Sequence, residues 1–205
     1  MKVALITTDN REPWKKYELP APIFGPAPEA LLQGFAELGK VVEVHVICCV
    51  RKPVAAPAKV ADNIWYHSVP IPSWGMMKSL YVPVALAARR KLAAIRPDIV
   101  HGQGTERECS LAAVFSGYPN VLTIHGNMRQ MIKWTDARVS VFHLMTAGLE
   151  RLVLPRTAGV FCNSVYTRSL IAGAAAKTWL VPNAINLAFF SPIPSRQARP
   201  RRRDR

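Results

Sequence analysis

Apolar residues fall into two kinds of pattern along this chain: short continuous runs, and longer stretches where they recur every three or four positions. Residues 2–8, 41–49, 64–69, 98–101, 120–124, 158–162 and 177–181 are of the first kind. Their β-branched content predicts strands covered on both faces. The second kind predicts helices. One starts at Pro28, where a missing N–H costs nothing, carries Leu31, Leu32, Phe35 and Leu38, and stops at Gly39. In another, Tyr81, Ala85, Ala88, Leu92 and Ile95 recur at spacings of four and three, with Arg89, Arg90 and Lys91 toward the other side. Thr105 with Glu108 three residues on predicts a capping box, after which Leu111, Ala112 and Phe115 supply an apolar face. Residues 128–154 read as mostly helical, and Ser164 as the N-cap of a helix running through 168–172. Residues 8–17, 20–28 and 51–62 are too polar or too rich in proline and alanine for regular structure. Strands alternating with helices predict an α/β fold, a doubly wound parallel sheet with helices on both faces.

Composition narrows the class. Half of the 205 residues are hydrophobic, as a globular chain requires. The formal charge is +14, but residues 196–205, with six arginines and one aspartate, contribute +5 and leave +9 for the body. That balance favours anionic ligands or an anionic membrane surface. One domain over residues 1–192 and an arginine-rich disordered tail over 193–205 are expected, since the tail has no apolar periodicity. Cys48, Cys49, Cys109 and Cys162 form no Cys-x-x-Cys pair and predict buried, reduced thiols. The apolar run at the N-terminus is too short for a signal peptide, and no run approaches a membrane span. A cytoplasmic protein is expected.

Candidate chemistry gathers after two strands. Residues 98–101 empty into His101, Gly102, Gln103 and Gly104, and residues 120–124 into His125, Gly126 and Asn127. Two strands that deliver His and Gly at their carboxyl ends predict a binding crevice along one sheet edge. An imidazole there can donate to a ligand hydroxyl or stabilise developing charge; the alternative is a turn histidine bonded locally. Asn127 fits either a hydroxyl contact or a turn. His101 fits either a ligand contact or a partly buried strand position. With Glu108 assigned to capping, Glu106 and Arg107 are the less constrained candidates for substrate contact. Gly25 stands in a loop between Pro22 and Pro28, and Pro26 and Pro28 remove two amide donors from any anion nest. No three-glycine dinucleotide fingerprint follows the first strand, which argues against a nicotinamide enzyme. Nothing has metal-ligand spacing. Trp74, Met76, Met77, Lys78 and Tyr81, with Arg89 and Arg90, fit either a membrane-surface patch or an ordinary helix.

Three stretches carry a family likeness: Pro97-Asp-Ile-Val-His101, Thr123-Ile-His-Gly126 and Val181-Pro-Asn-Ala-Ile-Asn-Leu-Ala-Phe-Phe-Ser-Pro192. Their order and spacing resemble the N-terminal half of a retaining glycosyltransferase of family 4, with Ala184 where the family has glycine and Asn186 where it has aspartate. The resemblance implies the Rossmann-like N-terminal domain of the two-domain GT-B architecture. It also implies transfer of a sugar from a nucleotide-sugar donor to a hydroxyl acceptor. His125 matches the family's catalytic-site histidine beside the transferring sugar. Gly25, His101, Gly102, Gln103, Gly104, Glu106, Arg107, Gly126 and Asn127 are the expected substrate contacts. No cofactor or metal is implied, the nucleotide-sugar being a substrate. The donor-binding C-terminal domain, with its Glu-x7-Glu stretch, is expected to be missing, which makes the chain a truncated product inactive alone. Relatives with lipid-linked acceptors imply peripheral contact with the inner face of a membrane. Two rivals remain: a non-catalytic binding module of the same fold, and a nucleic-acid-binding protein suggested by the arginine tail. The tail has no interleaved aromatics, so no specific nucleic acid is expected.

Overall fold

The computed structural model describes residues 1–72, 79–105, 107–134 and 139–184. Trp74, Met76, Met77, Lys78, Glu106, Asn186 and the arginine tail lie outside them. Eight described strands form one sheet: β1 (Lys2–Ile6), β2 (Glu43–Val50), β3 (Lys59–Ala61), β4 (Ile64–Pro70), β5 (Ile99–Gln103), β6 (Asn120–Ile124), β7 (Val160–Cys162) and β8 (Thr178–Leu180). Their order is β3-β4-β2-β1-β5-β6-β7-β8, parallel throughout except for β3. The chain winds outward from β1 to β4, then crosses back to β5 and winds the other way. Between β1 and β5 the direction of winding reverses, so the loops after these two strands part and leave a crevice at their carboxyl ends.

Helices cover the two faces unequally. The helix α1 (Pro26–Glu37) lies over Val3, Leu5, Val44, Val46, Cys48, Ile64 and Tyr66. Against the other face lie α2 (Val82–Ile95), α3 (Glu108–Val114) and α5 (Val141–Val153), which enclose Ala4, Ile6, Ile47, Val100, Leu122, Ile124 and Val160. Two short helices, α4 (Met128–Trp134) and α6 (Val165–Leu170), follow β6 and β7. The doubly wound sheet with helices on both faces is therefore present.

Several local expectations change. The stretch read as mostly helical over 128–154 holds two helices, because Ser140 starts α5 with a capping box whose other partner is His143. The connector after β2 contains β3, which turns back onto β4 at Asp62 and Asn63. The expected capping box of Thr105 and Glu108 does not form. The helix α3 begins at Glu108, and the Thr105 hydroxyl instead donates to Glu150 Oε1 at 2.9 Å. Tyr81 is buried among core residues, which removes it from any surface patch. The four cysteines are free thiols; burial pushes the Cys49 thiol up to about 12 and leaves it unreactive.

The loop between β1 and α1, read only as polar, is anchored from within. Arg11 is fully buried and grips Asp9 through Nε at 3.0 Å and Nη2 at 2.7 Å. Its Nη1 donates to Leu19 O at 2.7 Å, and Tyr66 donates to Asp9 Oδ2 at 2.7 Å. Burial alone would push the Asp9 carboxyl up, but the hydrogen bonds from Arg11 and Tyr66 outweigh it and hold the group low. An ion pair this deep fixes the loop that forms one bank of the crevice.

Candidate functional site

His125 follows β6 directly and stands half-buried at the carboxyl edge of the sheet. Two concavities meet at it. One, of about 290 Å³, lies where the winding reverses and is lined by Thr7, Thr8, Asn10, Gly25, Gln103 and His125, with the start of α1. The other, of about 360 Å³, runs down the α1 side of the sheet over His101, Gln103, Thr123 and Phe161. Its walls are Leu31 and Phe35 of α1 and the segment Val181, Pro182, Asn183 and Ala184 after β8.

The floor between these walls is a hydrogen-bonded chain. His125 Nε2 is 3.0 Å from Gln103 Oε1, Gln103 Nε2 is 3.2 Å from His101 Nε2, and that nitrogen is 2.7 Å from Thr123 Oγ1. The strand register sets this up. His101 pairs with Val121 and Gln103 with Thr123, so polar side chains two residues apart on β5 and β6 share the α1-side face. Burial, and to a smaller extent the neighbouring His125, pushes His101 down to about 4; it is neutral at physiological pH.

Other sequence-selected residues divide between the crevice and its support. Gly25 is the N-cap residue of α1, in extended backbone, and lines the crevice. With Pro26 and Pro28 in the first turn and Glu29 N donating to Gly25 O, Ala27 supplies the one remaining first-turn amide. Gly126 has space around its Cα, and Asn127 caps α4 by accepting from Gln130 N at 2.9 Å. Gly104 makes the turn out of β5 at φ +86° and donates to Thr123 O at 2.9 Å.

Two expected contacts face elsewhere. Gly102 points into α3, where an added Cβ would sit 2.9 Å from both Cys109 O and Leu122 Cδ2, so its smallness serves helix–sheet packing. Arg107 leans on Glu108 and Tyr81, on the face away from His101.

Sequence reasoning missed the residues that aim the loop. Glu150 is fully buried in α5, and its carboxylate accepts from Met128 N at 3.0 and 3.1 Å as well as from Thr105. It thus ties the loops after β5 and β6 to one point. Asn163 Nδ2 donates to His125 O at 3.3 Å. A glutamate in the middle of an apolar helical run was the available signal for Glu150.

A model of glycosyltransferase family 4 matches residues 29–189, more than half of the chain. The chain belongs to glycosyltransferase family 4. No curated protein matches this family 4 chain at a significant level. Solved structures share its fold. Sucrose-phosphate synthase from Thermosynechococcus elongatus superposes with a TM-score of 0.64 at 16% identity, over 94% of this chain and 50% of that one. A UDP-glucose:anthocyanidin 3-O-glucosyltransferase in complex with UDP gives 0.53 at 12% identity, over 94% and 55%. The UDP-GlcNAc 2-epimerase from Methanocaldococcus jannaschii gives 0.54 at 12%, over 89% and 46%. The family 4 chain spans about half the length of these structures, and at such identities the likeness shows the fold alone. Among the described residues no three His, Cys, Asp or Glu side chains group as metal ligands, and no helix is long and apolar enough to cross a membrane.

Proposed function

We propose that this chain is the acceptor-side half of a retaining glycosyltransferase. A nucleotide-sugar donor would be brought to His125 across the crevice by a C-terminal domain of the family type. The observation that carries this reading is the convergence of His125, Gln103, Asn10 and the start of α1 on one crevice where the winding of the sheet reverses. Ligands of open α/β sheets bind at that place. Gly25 and Gly126 let a substrate come close to the backbone, and the hydroxyl acceptor lies along the groove over Thr123. Among the described residues neither concavity is lined by Asp or Glu. Catalysis then rests on orientation and on polar groups around the sugar as the donor phosphate leaves, His125 foremost, with no metal or cofactor.

The proposed location is cytoplasmic, with peripheral contact at the inner face of a membrane. Exposed Met131, Trp134, Val141 and Leu144 beside exposed Arg129 and Lys133 support peripheral contact there.

One wall of a site holds a donor loosely and admits water, so the 205-residue chain alone should not transfer sugar. The test is transfer from a panel of nucleotide-sugars to hydroxyl acceptors, with and without a family C-terminal domain fused or added in trans. Activity should need that domain, and His125→Ala should then lower kcat by roughly 10²-fold or more while changing acceptor KM much less. Robust turnover by the chain alone would overturn the assignment.

A further inference from the structure

We propose that the groove over Thr123 takes an acceptor whose hydroxyl is carried on an uncharged, mainly apolar ring body, and that it discriminates against sugars and phosphorylated acceptors. This deepens the reading of His125 as the residue beside the transferring sugar, and rests on it.

The walls of the groove are apolar on both sides. Leu31 and Phe35, half-buried on α1, face the exposed Val181 and Pro182 after β8. Phe161 closes the space between them, its ring edge-on to His101 with centroids 5.3 Å apart. Flat apolar surface of this kind contributes most when the ligand has apolar faces to bury against it.

The polar floor does not offset those walls. Thr123 Oγ1 lies 2.7 Å from His101 Nε2, and that nitrogen 3.2 Å from Gln103 Nε2. Bonded to one another, these three residues are 9%, 6% and 9% exposed and present little surface to an occupant. A phosphate, or the several hydroxyls of a sugar, would lose water along the groove and find few bonds in return. Charge points the same way. Lys and Arg make up 27 of the 205 residues, yet among the described residues none lines the groove, and neither does Asp or Glu. The anionic ligand that the overall charge favours therefore has no counter-ion in this lining.

Continuity with the crevice identifies the occupant. His125 and Gln103 line both concavities, so a body lying in the groove brings its leading edge to the half-buried imidazole. One hydroxyl on that edge is what the transfer needs. The cavity of about 360 Å³ holds the rest of the ring body.

A matched set of small probes tests this: naphthol, its phosphate ester naphthyl phosphate, and methyl glucoside. Each is titrated at physiological ionic strength into the ¹⁵N-labelled 205-residue chain, following the amide shifts of Leu31, Phe35, Thr123 and Val181. Naphthol should move these amides with a Kd about 10-fold or more below that of naphthyl phosphate, and methyl glucoside should leave them unmoved. The basic chain draws in the phosphate, so a preference for the neutral alcohol must come from the groove itself. Val181→Asp, at a position 46% exposed, should weaken naphthol binding by about 10-fold. Absence of naphthol shifts at these amides, naphthyl phosphate bound as tightly as naphthol, or methyl glucoside bound more tightly than it would each overturn the proposal without any variant having to fold. Unchanged naphthol affinity in a folded Val181→Asp protein would overturn it too. None of these readouts requires sugar transfer. Binding of naphthol without transfer by the two-domain enzyme would count against the proposed function alone, whereas transfer to sugar phosphates in preference to naphthol would sink the acceptor class and leave that function standing.

Discussion

One face of the sheet is built in two ways. Beneath α1, the strands β1, β2 and β4 present Val3, Leu5, Val44, Val46, Cys48, Ile64 and Tyr66, and the surface is closed. Beyond α1 the same face continues across β5, β6 and β7 as His101, Gln103, Thr123, His125 and Phe161, and no helix covers it among the described residues. Each half contains buried polar groups, but they do different work. The closed half buries a full ion pair, Asp9 with Arg11, whose partners are all internal. The other half buries neutral groups in a line that ends at His125, at the rim. A buried charge with every bond satisfied serves rigidity, whereas a neutral chain ending at a cavity can hand hydrogen bonds to something that enters.

The largest effect that would break this comparison is expected at Arg11. Arg11→Ala leaves the Asp9 carboxylate buried without its partner and should cost about 3–5 kcal/mol in urea unfolding. A loss below about 1 kcal/mol would mean that the pair is not what closes this half.

Acid should separate the halves next. Burial puts His101 at about 4 in the folded chain, below its ordinary 6.5, so the unfolded chain binds more protons between these values. The stability tied to His101 therefore falls as pH drops from about 6.5 to about 4 and is flat below, a loss approaching about 3 kcal/mol. Asp9 behaves differently. Its carboxyl is held low, so its contribution is intact above the ordinary carboxylate range and is lost only as pH falls through the lowered value. His67 on the opposite face is also pushed down to about 4 by burial and shares the upper window. Unfolding followed against pH should show a shallower slope between pH 6.5 and 4 in His101→Asn, with the His67 share remaining. An unchanged slope would mean that His101 is not the neutral, buried base described.

The smallest effect sharpens the contrast. His125→Ala should change unfolding stability by less than about 1 kcal/mol, because the half-buried ring leaves Gln103 within reach of water. A residue that matters much for turnover and little for stability belongs to a site.

Much of this was legible along the chain. The alternation of strands and helices gave the doubly wound sheet, and the short Pro- and Gly-marked turns gave most element ends to within a few residues. His125 and Gly25 reach the crevice as their places after β6 and before α1 suggested. Other residues could not be read this way. Gly102 and Gln103 are adjacent in one strand, but alternation sends Gly102 into α3 and Gln103 into the groove. Thr105 has the spacing of a capping residue, yet it is taken by Glu150, 45 positions away in sequence. Arg11 lies in a stretch that reads only as polar, yet Asp9, Tyr66 and two carbonyls from other parts of the chain close around it.

The sequence by itself determined the elements and the edge at which chemistry could gather, because periodicity, proline, glycine and chain order act locally and each residue carries its own part of the signal. Only the tertiary structure decided which polar side chains meet, since strand register, the face a residue occupies and the loss of water around it depend on partners tens of residues away. The line from Thr123 through His101 and Gln103 to His125 exists because β5 and β6 pair in one register; a shift of one strand by one residue would turn its pair of side chains to the opposite face and break the line.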